Sequence, residues 1–114
     1  MDAEVEALCK EFKFTIELEP KDEKVLYLKF DDGRGYRLQH PGALVAARLF
    51  GTTTESLTAD CLDYFIENCI TPIVNTAAKT LTAANLDLTE TIELWMPLAW
   101  RFLRRGIGIA IGKP

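Results

Sequence analysis

The sequence predicts a small α+β domain in which a three-stranded antiparallel meander packs against about three helices. Three observations carry that expectation. Phe12, Phe14, Ile16 and Leu18 alternate with Lys13, Thr15, Glu17 and Glu19, a period of two that fits a half-buried strand. Asp31-Asp32-Gly33-Arg34-Gly35 supplies the glycines of a tight reversal between two further apolar runs. From Leu57 to Ala78 the apolar residues recur at i, i+3 and i+4, the stripe of an amphipathic helix.

In chain order, Val5, Leu8, Cys9 and Phe12 suggest a short helical or irregular lead-in, with residues 1–10 expected to be poorly ordered. The first strand follows over 12–19. Pro20 to Lys24 is a charged turn, and Val25 to Phe30 is a second strand with Leu26, Leu28 and Phe30 on one face. Tyr36 to His40 resumes the alternation as a third. Pro41 is suited to open a helix and Gly51 to close it, which predicts a short, largely buried helix around Ala43 to Phe50. Thr52-Thr53-Thr54-Glu55 reads as a capping box that starts the next helix, broken or kinked near Thr71 by Pro72.

After a threonine-rich connection, Asp87 with Glu90 three residues later starts the last helix, and Arg101, Arg104 and Arg105 close it on the end the helix dipole favours. Leu88, Ile92, Trp95, Met96, Ala99, Phe102 and Leu103 face inward in this reading, with Pro97 bending the segment. Residues 106–114 alternate isoleucine with small residues. Such glycine content suits an extended tail better than a helix, so a fourth strand is expected there.

The 114 residues suit one domain with a single core. The net charge of −4 divides as −3 over residues 1–40, −5 over 41–100 and +4 over 101–114. A surface of this sign repels nucleic-acid phosphates as a whole, and any anionic partner would meet the C-terminal end. Arg101, Arg104 and Arg105 interrupt the one long hydrophobic region, so no membrane span is expected. The acidic first residues do not read as a signal peptide, which leaves a reducing cytoplasm as the expected address, inside the host cell if the protein is viral.

Side chains able to do chemistry are few. Cys9, Cys61 and Cys69 are odd in number and form no CxxC pair, against both a disulfide framework and a zinc site. His40, before Pro41 at a strand-to-helix junction, suits a turn or cap, while a small-molecule binder or enzyme using His40, Cys61 or Cys69 stays open as an alternative. Gly112-Lys113 lacks the spacing and following helix of a phosphate loop. No catalytic residue, metal or cofactor is assigned.

Two features point to an interaction role. Ile107, Ile109 and Ile111 would present a flat apolar row that must pair within or between chains. Trp95 and Trp100 beside Arg101, Arg104 and Arg105 have a composition enriched at interface hot spots. The succession of strand hairpin, short helix and longer helices is similar to that of small phage tail-assembly chaperones, a likeness that implies binding to structural proteins and self-association but transfers no functional residue. The expectation is a non-enzymatic interaction or assembly protein, binding itself or a protein partner through these eight residues. A second expectation is a small acidic inhibitor of a defence nuclease or other host protein, with Asp60, Asp63 and Glu67 as its contact.

Overall fold

The computed structural model describes residues 1–51 and 57–111. The fold is α+β, with helices packed on one face of a four-stranded antiparallel sheet of order β1-β2-β3-β4. The strands are β1 (Phe14–Leu18), β2 (Val25–Phe30), β3 (Gly35–Gln39) and β4 (Ile70–Pro72). The register pairs Phe14 with Phe30, Ile16 with Leu28, Leu18 with Leu26, Leu28 with Tyr36, Leu26 with Leu38 and Leu38 with Ile70. Phe12, expected to open the first strand, instead ends the helix before it, and Phe14, Ile16 and Leu18 share one face with Leu26, Leu28, Phe30, Tyr36 and Leu38. Thr15, Glu17, Tyr27, Lys29 and Arg37 fall on the other, where Lys29 pairs with Glu17 at 2.9 Å and the Tyr27 hydroxyl donates to Glu19.

The fourth strand is not the C-terminal tail. Ile70–Pro72 takes that place, and the helical stripe breaks beside the expected position near Thr71: α3 (Leu57–Tyr64) continues into a π-helical turn (Phe65–Cys69) and stops. Pro72 explains the stop, because the residue before a proline is driven out of helical geometry and proline itself is tolerated in a short edge strand. The following loop crosses the end of the β2–β3 hairpin, where the Ala77 N–H donates to the Gly33 carbonyl at 3.1 Å. A Cβ on Gly35 would lie 3.0 Å from the Thr76 methyl group, so glycine is what lets this loop approach β3.

The lead-in takes the helical form of the two expected: α1 (Ala3–Phe12) begins where the Asp2 side chain accepts the Glu4 and Val5 N–H groups, and it ends at Lys13 in left-handed geometry. Its Val5 and Leu8 are buried. The helix α2 (Ala43–Phe50) forms between Gly42 and Gly51 but has no fully buried residue, and Leu44 is 67% exposed. The capping box at Thr52 and Glu55 lies outside the described residues.

The last helical region holds three segments in succession: α4 (Leu88–Glu90), a π-helical turn (Thr91–Trp95) and α5 (Met96–Arg105). Asp87 caps α4 as expected, its carboxylate accepting the Glu90 N–H at 2.9 Å. The widened turn directly precedes Pro97, which brings no N–H to a regular helical ladder; the Met96 N–H reaches back to the Thr91 carbonyl instead. Leu94, Trp95, Leu98, Ala99, Phe102 and Leu103 fill the core against Phe65, Leu26, Leu28 and Leu38. Trp95 is the hub, with ring centroids 5.4 Å from Tyr36, 6.1 Å from Phe30 and 6.5 Å from Phe65.

The described part of the tail, residues 106–111, is turn and helix rather than extended. Gly106, at positive φ, ends α5, and α6 (Gly108–Ile111) follows as one short turn. Ala110 and Ile111 donate their N–H groups to the Ile107 carbonyl, so local bonds replace the ladder bonds a strand would have needed. The period-two pattern misleads here because only Ile109 is fully buried; its carbonyl accepts the Asp2 N–H at 2.9 Å, and this ties the two ends of the domain together.

Candidate functional site

The C-terminal end of α5 meets α2 at a corner where several of the sequence-nominated residues gather. Helical spacing places Trp100 and Arg104 one turn apart on the outer side of α5, and Phe50 reaches them from the end of α2. The Phe50 and Trp100 rings meet edge to face at 5.0 Å. The Arg104 guanidinium lies 5.7 Å from the Trp100 ring centroid and 5.9 Å from that of Phe50. Such stacking is worth roughly 0.5–1 kcal/mol at a partly exposed site and holds the arginine head in place. Beside it opens a cleft of about 780 Å³, with Ala43, Ala46, Ala47, Phe50 and Ile107 among its apolar lining and Lys24, Arg104, Arg105 and the carboxylate of Glu23 as its charged lining.

His40 sits in this cleft as a joint. Its Nδ1 accepts the Gly42 N–H at 3.0 Å and its Nε2–H donates to the Leu103 carbonyl at 3.0 Å. These bonds fix the neutral tautomer and employ both ring nitrogens, joining the start of α2 to the end of α5. That arrangement is a structural one, since a general base needs a nitrogen turned to its substrate.

The remaining nominated residues divide. Trp95 is 1% exposed and belongs to the core, so its place on an interaction surface is corrected: aromatic character without helical phase does not tell core from surface. Arg101 and Arg105 turn towards the N-terminus, donating to the Asp2 carboxylate at 3.2 and 2.7 Å, and Arg101 also meets Glu4 at 2.5 Å. Burial of Asp2 alone would raise its pKa, but the Val5 N–H, Arg105, Arg101 and Glu4 N–H outweigh it and hold the carboxyl below its ordinary range. Ile107 lines the cleft, Ile109 is core, and Ile111 is exposed.

Asp63 and Glu67 are exposed along α3 and its π-helical turn, while Asp60 is half-buried near Val45, Arg48 and Tyr64. The three do not form one exposed patch. Among the described residues no group of three or more His, Cys, Asp or Glu side chains is placed to hold a metal. The thiols are poorly suited to nucleophilic work. Burial pushes Cys69 up to about 12, and burial with Asp60 beside it raises Cys61. Cys9, half-buried, is raised by burial and by Glu6. Among the described residues, no helix is long and apolar enough to cross a membrane.

Sequence reasoning missed Phe50, which was counted as helix core, and Asp2, which lay in a segment expected to be loose. An N-cap signal was present at Asp2, since aspartate before the acidic turn Glu4 to Glu6 is a regular helix start. No protein-family model, curated protein or solved structure matches this chain.

Proposed function

We propose that the protein is a non-catalytic protein-interaction module, and that its docking surface is the cleft between α2 and the end of α5. The observation that carries this reading is the exposure of α2 among the described residues: an apolar helix with no fully buried residue borders a cleft lined by Phe50 and Arg104, both of which stack on Trp100. An apolar surface around which Lys24, Arg104 and Arg105 outnumber Glu23 suits an apolar anchor with acidic neighbours. The rest of the chain is net negative, so an acidic segment is steered to this corner and away from other surfaces.

Selection from a displayed peptide library tests the proposal. Enriched peptides should combine an aromatic or aliphatic anchor with Asp or Glu, shift the Trp100 emission on binding, and lose affinity at least tenfold on Phe50→Ala or Arg104→Glu. Reversing Asp63 and Glu67, which lie elsewhere, should leave binding unchanged. Selected peptides that bind the Phe50 and Arg104 variants as tightly as the parent, or an empty selection, would refute it.

A further inference from the structure

The strand β1 is one of the two edges of the sheet, and its pairing parity determines what it offers. The Glu19 N–H donates to Val25 and the Lys13 carbonyl accepts from Asp31, so the odd-numbered residues of this stretch direct their backbone groups to β2. Phe14, Ile16 and Leu18 therefore direct theirs outward, where no strand pairs with them among the described residues. Beside this edge runs a groove of about 510 Å³ lined by Met1, Glu6, Cys9 and Lys10 on one side and by Phe14 to Ile16 on the other. Leu18, at the end of the apolar row, is 43% exposed. Edges of this kind are commonly blunted by proline, an inward charge or a bulge, and β1 contains none of these.

We propose that the occupant of this edge is a second copy of the chain, β1 pairing antiparallel with β1 about a two-fold axis at Ile16. The sequence of the strand is complementary to itself in that register. Ile16 faces Ile16 of the second copy and Phe14 faces its Leu18, so all three outward-directed residues bond and about six backbone hydrogen bonds close one eight-stranded sheet. The apolar side chains stay on the helix-covered face. Thr15 meets Glu17 on the polar face, and just beyond the strand Lys13 comes opposite Glu19 at both ends, so the charges attract. Other registers lose this match. Centring on Glu17 sets two glutamates against each other, centring on Thr15 leaves Leu18 without a partner, and a shift to odd parity opposes outward to inward backbone groups. Leu18 of one copy then lies beside Phe14 of the other and covers the groove that α1 leaves open.

Sedimentation of the full chain over a concentration series should show a monomer–dimer equilibrium. Leu18→Lys, at an already exposed position, should weaken it more than about tenfold without changing the circular dichroism. Register is tested separately by oxidising mixed Thr15→Cys and Glu17→Cys chains in a Cys9→Ser background. The expected product is the mixed 15–17 cross-link in clear excess over 15–15 and 17–17 products. A chain that stays monomeric at high concentration, a dimer indifferent to Leu18→Lys, or cross-links without preference would each overturn the proposal, as would a monomer that binds an extended peptide of another sequence along this edge. Arg104→Glu leaves the dimer intact, so failure here is distinguishable from failure of the cleft reading.

Discussion

Asp2 offers the most exacting test of how the domain is held together. Its side chain is 5% exposed, whereas those of Arg101 and Arg105 are 29% and 35% exposed. One carboxylate does two things: an oxygen caps α1 through the Glu4 and Val5 N–H groups, and the other receives both guanidinium groups. Losing the cap costs about 1 kcal/mol. Charge-assisted bonds are worth roughly 1.5–3 kcal/mol each, and about half of that is lost to solvent screening here because the arginines can turn back into water. Asp2→Ala should therefore destabilise by about 2–4 kcal/mol. Asp2→Asn keeps one capping oxygen but turns an amide NH2, itself a donor, towards the two guanidinium groups, so it loses both of those bonds along with the charge and should cost about 1.5–3 kcal/mol.

Urea unfolding of the three proteins from pH 7 down to pH 2.5 separates these parts. The Asp2 carboxyl titrates below its ordinary value of 3.8 when folded. Its contribution is accordingly complete above that ordinary value and disappears as the pH falls through the lower folded value. The gap between parent and Asp2→Asn should be full at pH 5–7 and close in the most acidic samples, while the gap between Asn and Ala variants, which reports the cap, should persist. An Asn variant as stable as the parent at pH 7, or a gap that does not change with acidification, would show that the carboxylate's charge is not what joins α1 to α5.

Other outcomes follow from the same structure. Trp95→Ala should cost about 3–5 kcal/mol as a fully buried aromatic, and Trp100→Ala no more than about 1 kcal/mol; thermal unfolding measures both, and acrylamide should quench the single-tryptophan protein retaining Trp100 far more than the one retaining Trp95. With a thiol reagent at pH 8, Cys9 should react well before Cys61 and Cys69, whose labelling should wait for unfolding; three equal rates would contradict the burial described. Arg34→Met removes the paired bonds to Glu90 at 2.9 and 3.1 Å that fasten the hairpin to α4, and should cost about 1–2 kcal/mol with faster amide exchange at Glu90 and Thr91.

Much of the sheet was legible because a strand's period of two is a local property. Phe14, Ile16, Leu26, Leu28, Phe30, Tyr36 and Leu38 share one face in sequence and in space. Turn chemistry was equally legible: Gly33 has φ of 96°, as a tight reversal between β2 and β3 requires. The errors fall where two periodicities compete over a few residues. Pro72 announced the break near Thr71, but the three-residue edge strand Ile70-Thr71-Pro72 that the break allows was not read, because Ile70 also fits the helical stripe. Ile107, Ile109 and Ile111 obeyed a strand's period, yet one helical turn buries Ile109 and satisfies the backbone locally. Trp95 and Trp100, five residues apart, were read as one patch; 500° of helical rotation puts them about 140° apart around an ideal axis, enough to send one inward and one outward.

The same rotation explains why the end of α5 is a plausible place for function at all. Arg101 and Arg105 are one turn apart and both turn to Asp2, which fixes α5 against α1 and, through the Ile109 carbonyl, the last turn as well. Arg104, one residue from Arg105, points away from that joint and onto the aromatic stack beside the cleft. His40 then ties the α5 carbonyl at Leu103 to the start of α2, so the two walls of the cleft are joined at their base, while among the described residues no side chain of α2 is fully buried. For the docking proposed above, a rigid base of this kind leaves little ordering entropy to lose on binding. Weakening the base by His40→Ala, with Phe50, Trp100 and Arg104 untouched, should therefore lower peptide affinity through increased motion of α2; equal affinity with loosened α2 exchange would separate the cleft's rigidity from its chemistry.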